Sequence, residues 1–144
     1  MTSKMLAVYF YERLKQFDYM TLFKKMEEYN QGSKHALQYL LQEEETEVTA
    51  GMVANELSIS TARVAKLINN LSKNDYIDKW SSKKDARVTI VKITEKGKEY
   101  IIKEKEDFLK TLEVVIDKIG VEDLMEFIRI SKKIKKAFIG VKND

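Results

Sequence analysis

The clearest pattern in the chain is an amphipathic helix that begins after Ser60. Val64, Leu67, Ile68 and Leu71 repeat at the i, i+3, i+4, i+7 spacing of a helix that buries one face. Ser60 itself is a good N-cap, because its hydroxyl can accept a backbone N–H of the first turn. The opposite face is small, polar or basic, and it consists of Thr61, Ala62, Arg63, Lys66, Asn69, Asn70 and Lys73.

A second, shorter helix precedes this one, and a hairpin follows it. Thr49 is the predicted N-cap of the short helix, and Ser58-Ile59 is the predicted turn between the two helices. Asn74-Asp75 can end the amphipathic helix, since both residue types tolerate unusual backbone angles. Tyr76–Trp80 and Val88–Ile93 have the composition of two strands that form a half-buried ribbon. The order predicts a helix-turn-helix followed by a β-wing.

The two ends of the chain read as long helices. We expect helices at residues 4–29 and 35–42, a helix capped by Thr94 that runs to about Lys118, and a last helix over Val121–Phe138 after a break at Gly120. Asn30, Gln31 and Gly32 interrupt the pattern after the first helix. The residues predicted to point inward on the last helix are Leu124, Phe127, Ile128, Ser131, Ile134 and Phe138.

The first helix carries more apolar surface than one face can hold. Its apolar positions are Leu6, Val8, Tyr9, Phe10, Tyr11, Leu14, Phe17, Tyr19, Met20 and Phe23. A terminal helix this apolar must bury more than one side, and a second copy of the chain could cover one of them. We therefore expect a mainly α fold with a small β-wing, about six helices and a two- to three-stranded antiparallel sheet. We expect residues 1–144 to form a single domain, in which 34–94 are the winged module and 1–33 and 95–144 are dimerisation helices.

Composition narrows the function classes. The chain has 44% hydrophobic and 34% charged residues, five glycines and no proline, which favours a helix-rich globular protein. Without cysteine it has no disulfide, thiolate metal site or cysteine redox switch, and the single histidine, His35, cannot build a multi-histidine site. No metal, cofactor or membrane span is expected, and the predicted location is the cytoplasm.

The charge distribution is uneven. Residues 35–59 carry five acids and no Lys or Arg, whereas residues 60–100 carry ten bases against five acids. Positive charge gathered around one module is typical of a protein with a polyanionic partner such as double-stranded DNA. A solvated charged surface is the alternative that charge alone leaves open.

The residue types on the amphipathic helix suit a DNA groove. Arg can bond guanine, Asn can bond adenine, and Ala or the Thr methyl can contact thymine. Residues near the N-terminus of such a helix usually reach the bases, which favours Thr61, Ala62, Arg63 and Lys66 as readers. Asn69, Asn70 and Lys73 are then expected nearer the DNA backbone. The alternative is that these residues are only the wet face of a core helix.

The turn between the strands is basic, with Lys83, Lys84 and Arg87 around Asp85. Like charges repel, so this tip contributes little to folding, but an arginine there could enter a narrow minor groove. Asp85 could orient a basic side chain through a charge-assisted hydrogen bond. The alternative is an ordinary hairpin tip kept soluble by its lysines.

Residues 49–97 resemble the MarR family of winged helix-turn-helix transcription regulators. The resemblance rests on Asp85-Ala86-Arg87, on Ile93-Thr94-Glu95-Lys96-Gly97, and on the helix register given by Ser60, Thr61, Arg63, Val64, Leu67, Leu71, Tyr76 and Ile77. It implies a homodimer built from both chain ends, a near-palindromic operator, and often an effector pocket between the dimer region and the winged modules. It also implies that Arg87 enters the minor groove while Asp85 holds a basic group in place.

The chain departs from the family pattern in two places. Asp75 stands where the family usually has glycine, so Asn74-Asp75 must make that turn. Ala86 stands where a second arginine is common, which predicts fewer phosphate contacts. The expected function is a DNA-binding regulator, with a repressor as the leading interpretation, and its release by a small aromatic or anionic effector is a further expectation.

Two other classes of function remain open at this level. The first is a winged-helix module that binds proteins instead of DNA, because a fold does not fix a function. The second is an enzyme, but the sequence has no phosphate-cradling glycine loop, nucleophile elbow or metal-ligand cluster. The sequence assigns no particular residues to an effector pocket.

Aromatic residues such as Tyr9, Tyr11, Tyr39 and Phe108 could line such a pocket or could equally fill the core or a dimer interface.

Overall fold

The computed structural model describes residues 2–16 and 32–141. Those residues form six helices and a three-stranded antiparallel sheet, which confirms the predicted fold class. The elements are α1 Ser3–Gln16, α2 Ser33–Gln42, β1 Val48–Thr49, α3 Ala50–Leu57, α4 Thr61–Lys73, β2 Ile77–Ser81, β3 Thr89–Ile93, α5 Glu95–Ile119 and α6 Val121–Val141.

The predicted element bounds agree with these to within a few residues, with one part left open. The helix predicted at residues 4–29 is observed as α1, and its continuation with Phe17, Tyr19, Met20 and Phe23 lies outside the described residues. The same holds for Asn30 and Gln31 of the predicted break. Gly32 is described, and it has a left-handed φ of 57° directly before α2.

Three hydroxyl side chains start three helices as predicted. Each accepts a backbone N–H in the first turn of its helix, where that group has no partner within the helix. The bonds join Thr49 Oγ1 to the Met52 N–H (3.2 Å), Ser60 Oγ to the Arg63 N–H (3.3 Å) and Thr94 Oγ1 to the Gly97 N–H (3.0 Å).

The predicted turns on either side of α4 are both present. Ser58 adopts a left-handed conformation (φ 53°) between α3 and α4. Asp75 does the same after α4 (φ 60°), and the Tyr76 N–H then donates to the Leu71 carbonyl at 3.0 Å. Aspartate tolerates this backbone conformation, which explains how the chain turns here without a glycine.

The inner face of α4 forms the centre of the core. Val64, Ile68 and Leu71 are 3–4% exposed, and burial of each such side chain stabilises the fold by about 1.5–3 kcal/mol. Residues of α2, α3, the sheet and the start of α5 complete the same cluster. They are Ala36, Leu37, Leu40, Val48, Val53, Ala54, Ile77, Val91, Ile93 and Ile101.

The sheet has the order β1-β3-β2, so β3 is its central strand. Val91 and Ile93 face the core, and Ile90, on the opposite face of the strand, is also only 3% exposed. The prediction of a half-buried ribbon is therefore wrong for both strands: β2 buries only Ile77, and β3 buries residues on both of its faces. Ile90 is the register partner of Thr49 in β1 and of Trp80 in β2, so it has a neighbouring strand on each side.

The start of α5 packs directly on the chain that leaves α4. The rings of Tyr76 and Tyr100 stack with centroids 4.6 Å apart, and Thr94 Oγ1 donates to the Asp75 carbonyl at 2.6 Å. Gly97 permits this approach, because a Cβ at that position would lie 2.2 Å from Tyr76 O and 2.9 Å from Ile93 Cγ1. The close approach of these atoms therefore explains why position 97, at the end of the Ile93–Gly97 segment, is a glycine.

The chain divides into two compact units, Met1–Glu104 and Lys105–Asp144. Within the second unit, α6 has no buried residue. Phe127, Ile134 and Phe138 are 48%, 40% and 67% exposed, so the prediction that they point inward is wrong for the single chain. Helical periodicity placed these residues on one apolar face but does not show whether that face is buried. None of the described helices is long and apolar enough to cross a membrane.

Gly97→Ala should destabilise the fold by about 2–3 kcal/mol, because its Cβ would overlap a backbone oxygen that has little room to move. The free energy of unfolding, measured by urea denaturation, checks this. Gly51→Ala is the matched control. A Cβ there meets only Thr49 Oγ1 at 3.7 Å, so the variant should be as stable as the parent or about 0.5 kcal/mol more stable. Equal stability of the two variants would contradict the steric account.

Candidate nucleic-acid interface

Burial of one face of α4 leaves its other face open to solvent. All seven residues predicted on the outward face are exposed: Thr61, Ala62, Arg63, Lys66, Asn69, Asn70 and Lys73. Ser60 is exposed as well, but its hydroxyl oxygen already accepts the Arg63 N–H as the helix cap. The structure therefore brings the predicted helix residues together on one surface.

Two concavities flank α4, both within the first compact unit. The larger, which we call the open groove, has a volume of about 840 Å³ and is lined by Gly32, Ile59, Arg63, Lys66, Leu67, Asn69, Asn70 and Lys73. The smaller, which we call the wing cleft, has a volume of about 420 Å³ and is lined by Thr49, Ala50, Gly51, Thr61, Val64, Ala65, Ile68, Asn69, Lys79, Arg87, Val88 and Thr89. Asn69 borders both.

The tip of the wing is held by a paired aspartate and arginine. Asp85 Oδ1 accepts from the Arg87 backbone N–H at 3.0 Å and from Arg87 Nε at 3.1 Å. Arg87 Nη2 donates to Asp85 Oδ2 at 3.2 Å, so the carboxylate and the guanidinium form a two-point contact. The side-chain hydrogen bond from Arg87, followed by the backbone bond, lowers the pKa of Asp85.

This contact holds the guanidinium of Arg87 beside Asp85 but leaves the side chain exposed to solvent. The Arg87 side chain is 90% exposed. Lys83 and Lys84 are exposed beside it, and the Lys84 N–H donates to Ser82 Oγ at 3.2 Å, which helps to close the turn. The side chain that Asp85 orients is thus Arg87 itself. Contact between these residues and DNA stays a prediction.

Sequence reasoning missed Lys79. Its ammonium donates a hydrogen bond to Asn69 Oδ1, which joins the wing strand β2 to the outward face of α4. The signal that could have found it is strand alternation: Ile77 faces the core, so Lys79 lies on the same face of β2, toward α4.

The amide of Asn70 is engaged near the end of the helix. Asn74 Nδ2 donates to the Asn70 carbonyl at 2.8 Å and to Asn70 Oδ1 at 3.3 Å. Asn70 therefore helps to hold the α4 C-terminus in addition to lining the open groove. Its predicted contact with the DNA backbone would use the amide nitrogen as donor, because phosphate oxygens only accept hydrogen bonds, whereas the bond from Asn74 uses the amide oxygen.

The donor set of the site suits phosphates and base edges. It consists of ammonium, guanidinium, amide and hydroxyl groups. Among residues 2–16 and 32–141, no three His, Cys, Asp or Glu side chains are grouped as a metal site would require. His35 Nε2 lies 3.5 Å from Glu56 Oε1, so its neighbour in the structure is a carboxylate.

A family model described as transcriptional regulator SarA/Rot matches residues 21–104, which is more than half of the chain. The chain belongs to the SarA/Rot family of transcriptional regulators. No curated protein shows a significant sequence match to it.

Solved structures agree with this SarA/Rot assignment at the level of the fold. MepR, a transcription regulator of the Staphylococcus aureus multidrug efflux pump MepA, is 17% identical with a TM-score of 0.66, over 96% of this chain and 99% of MepR. A point mutant of S. aureus MepR bound to an oligodeoxyribonucleotide is 18% identical with a TM-score of 0.57, over 96% and 99% of the two chains. The heme sensor protein PefR, in complex with heme and carbon monoxide, is 22% identical with a TM-score of 0.60, over 95% and 92%.

MepR and PefR are MarR-family regulators, so the resemblance to that winged-helix fold is confirmed. At these identities the structures establish the fold alone. The SarA/Rot family supplies the function class, and the winged helix-turn-helix is a DNA-binding architecture. The chain is accordingly a DNA-binding transcriptional regulator.

Arg87→Ala should raise the pKa of Asp85 toward the ordinary value of an aspartate, because it removes the two side-chain donors that stabilise the carboxylate. A carboxyl titration followed by NMR checks this. Since the pKa is lowered in the folded protein, the pairing is complete above the ordinary aspartate pKa and is lost only as pH falls through the lowered one. Arg63→Ala, which also removes an exposed arginine, should leave Asp85 unchanged. An unaltered Asp85 titration in Arg87→Ala would contradict the pairing.

Proposed function

We propose that the chain is a sequence-specific repressor that binds a near-palindromic operator as a homodimer and is released by a small aromatic or anionic effector. Helix α4 enters the major groove, and the wing places Arg87 in the adjacent minor groove. The observation that carries the proposal is the surface formed by α4 and the wing, on which every predicted polar or basic side chain of the helix is exposed. Because its target is chromosomal DNA, the proposed location is the cytoplasm.

The face of α4 supports base reading. Thr61, Ala62, Arg63 and Lys66 lie in the first two turns, where a recognition helix usually meets base edges. Because the opposite face of the helix is buried, the backbone positions from which these side chains extend are fixed. A helix with one rigidly packed face can present the other in a constant register, which sequence discrimination requires.

The wing supports minor-groove entry. Asp85 holds the backbone and the guanidinium of Arg87, which reduces the conformational entropy that Arg87 would lose on binding. The exposed guanidinium suits the enhanced negative potential of a narrow minor groove.

The apolar surface at both chain ends supports a homodimer. In α1, Val8, Tyr9 and Tyr11 are 57–59% exposed, and in α6 Phe138 is 67% exposed. Apolar surface of this kind usually marks an interaction site in a folded protein. A second copy of the chain is its proposed cover, with residues 1–33 and 95–144 as the dimerisation helices. Two α4 helices related by a two-fold axis then meet successive major grooves, about 34–36 Å apart.

The open groove supports an effector role. It combines apolar Ile59 and Leu67 with the cationic groups of Arg63 and Lys66, a composition that suits an aromatic anion, and its volume is within the range of ligand sites. A ligand there would occupy side chains proposed to read DNA. Among the structural neighbours, MepR has been solved bound to ethidium bromide and PefR in complex with heme.

Arg87→Ala should weaken binding to the promoter DNA of the chain's own gene about tenfold and make it less sensitive to salt, because one cationic contact to DNA is lost. Fluorescence anisotropy at several salt concentrations measures both effects. Lys103→Ala, which removes one exposed positive charge from α5, is the control and should change neither. If the parent protein prefers no promoter sequence over random DNA, the proposal is wrong.

The same titration with aromatic carboxylates added tests effector release, which requires a fall in DNA affinity.

Phe138→Glu should convert the dimer to a monomer at micromolar concentration, because a charge would be placed on the apolar face proposed to be covered. Sedimentation equilibrium measures the dissociation constant, which should rise more than about tenfold. Lys133→Glu, on the polar face of the same helix, should leave the dimer intact. A monomeric parent protein, or equal effects of the two substitutions, would contradict the proposed interface.

A further inference from the structure

Lys79 and Asn69 are joined by a hydrogen bond, and both line the wing cleft. The bond joins an exposed side chain of β2 to an exposed side chain on the outward face of α4, ten positions earlier in the chain. Arg87 and Thr61 line the same cleft. We infer that Lys79 is a positioning residue, which fixes the side-chain amide of Asn69 in the orientation that reads a base. Asn69 then reads a base edge, and not the DNA backbone that its position along the helix suggested.

The chemistry of the two groups sets the orientation of the amide. A carboxamide has an acceptor oxygen and a donor nitrogen of similar shape, so without a partner it can exchange the two by turning over. An ammonium only donates hydrogen bonds, so it selects the oxygen of Asn69 and excludes the nitrogen. The amide nitrogen of Asn69 is therefore directed away from the ammonium, and Asn69 is exposed, so a base can reach it.

A fixed donor discriminates between base edges. Guanine, adenine and thymine each present at least one acceptor in the major groove, whereas cytosine presents an N4 donor there. A donor held outward on Asn69 can accordingly form a hydrogen bond with guanine, adenine or thymine but not with cytosine. An amide that is free to turn over would accept cytosine as well, through its oxygen. Lys79 thus contributes to specificity through Asn69 and not through its own contact with a base.

A direct phosphate contact is the competing role for Lys79, since lysine is a common phosphate ligand. The two roles make different predictions. Loss of a phosphate contact weakens binding to every duplex by about the same factor, because phosphates carry no sequence information. Loss of a positioning contact changes the ratio between two duplexes that differ at one base pair.

The experiment rests on the proposed function and uses the full chain. A duplex is selected by the parent protein from a randomised pool, and a second duplex differs from it by cytosine at the position that Asn69→Ala relaxes. The parent should prefer the first duplex about tenfold, which is within the usual range for one specific contact. Lys79→Met and Asn69→Ala should each reduce this ratio to near one, and the double variant should reduce it no further. Lys79→Arg, which keeps a donor, should retain most of the ratio.

Lys92→Met is the matched control. It removes one positive charge from the opposite face of the same sheet, where Lys92 pairs with Asp78, and it should leave the ratio unchanged. Lys79 and Asn69 are both exposed, so each variant should melt within a few degrees of the parent.

The outcomes separate the inference from the proposed function. If the parent selects no sequence, both are wrong. If the parent discriminates but Lys79→Met keeps the ratio while binding both duplexes more weakly, Lys79 is a phosphate ligand and the inference alone is wrong. Additive losses of Lys79→Met and Asn69→Ala would overturn it as well, since a residue that acts through Asn69 has nothing further to lose once Asn69 is gone.

Discussion

Burial of the inner face of α4 is the interaction on which the rest of the structure depends. Val64, Ile68 and Leu71 lock the helix against α3 and the sheet, and a helix with one face locked has its opposite face fixed in direction. The grooves on either side of α4 follow from this, because the wing approaches one flank and Ile59 borders the other. Loss of this packing would leave each functional side chain in place along the chain but without a common surface.

The two flanks of α4 differ in how far their polar groups are organised before any ligand arrives. On the wing flank, Lys79 holds Asn69 and Asp85 holds Arg87. On the other flank, Arg63 and Lys66 line a groove about twice as large, whose lining also includes apolar Ile59 and Leu67. Preorganised groups lose less entropy on binding, which suits the specific reading of DNA.

The local features of the fold were readable from sequence because they depend on neighbours in the chain. Thr49, Ser60 and Thr94 cap helices through bonds to residues only three positions away, and Asp85 pairs with Arg87 two positions on. Hydrophobic spacing predicted the buried face of α4 for the same reason. The sequence contains Gly97 only as part of a family resemblance, whereas the tertiary structure shows the reason for it: the carbonyl oxygen of Tyr76 leaves no room for a Cβ.

The sequence by itself determined the order of elements, their caps and turns, and the membership of most of the candidate site. Only the tertiary structure decided which surfaces are covered. Ile90 is buried because a two-residue strand lies beside β3, whereas α6 has an apolar face but no buried residue. Periodicity shows that a face is apolar but does not name its partner. Lys79 belongs to the site for a related reason: its contact with Asn69 depends on how a strand packs against a helix, which no local pattern encodes.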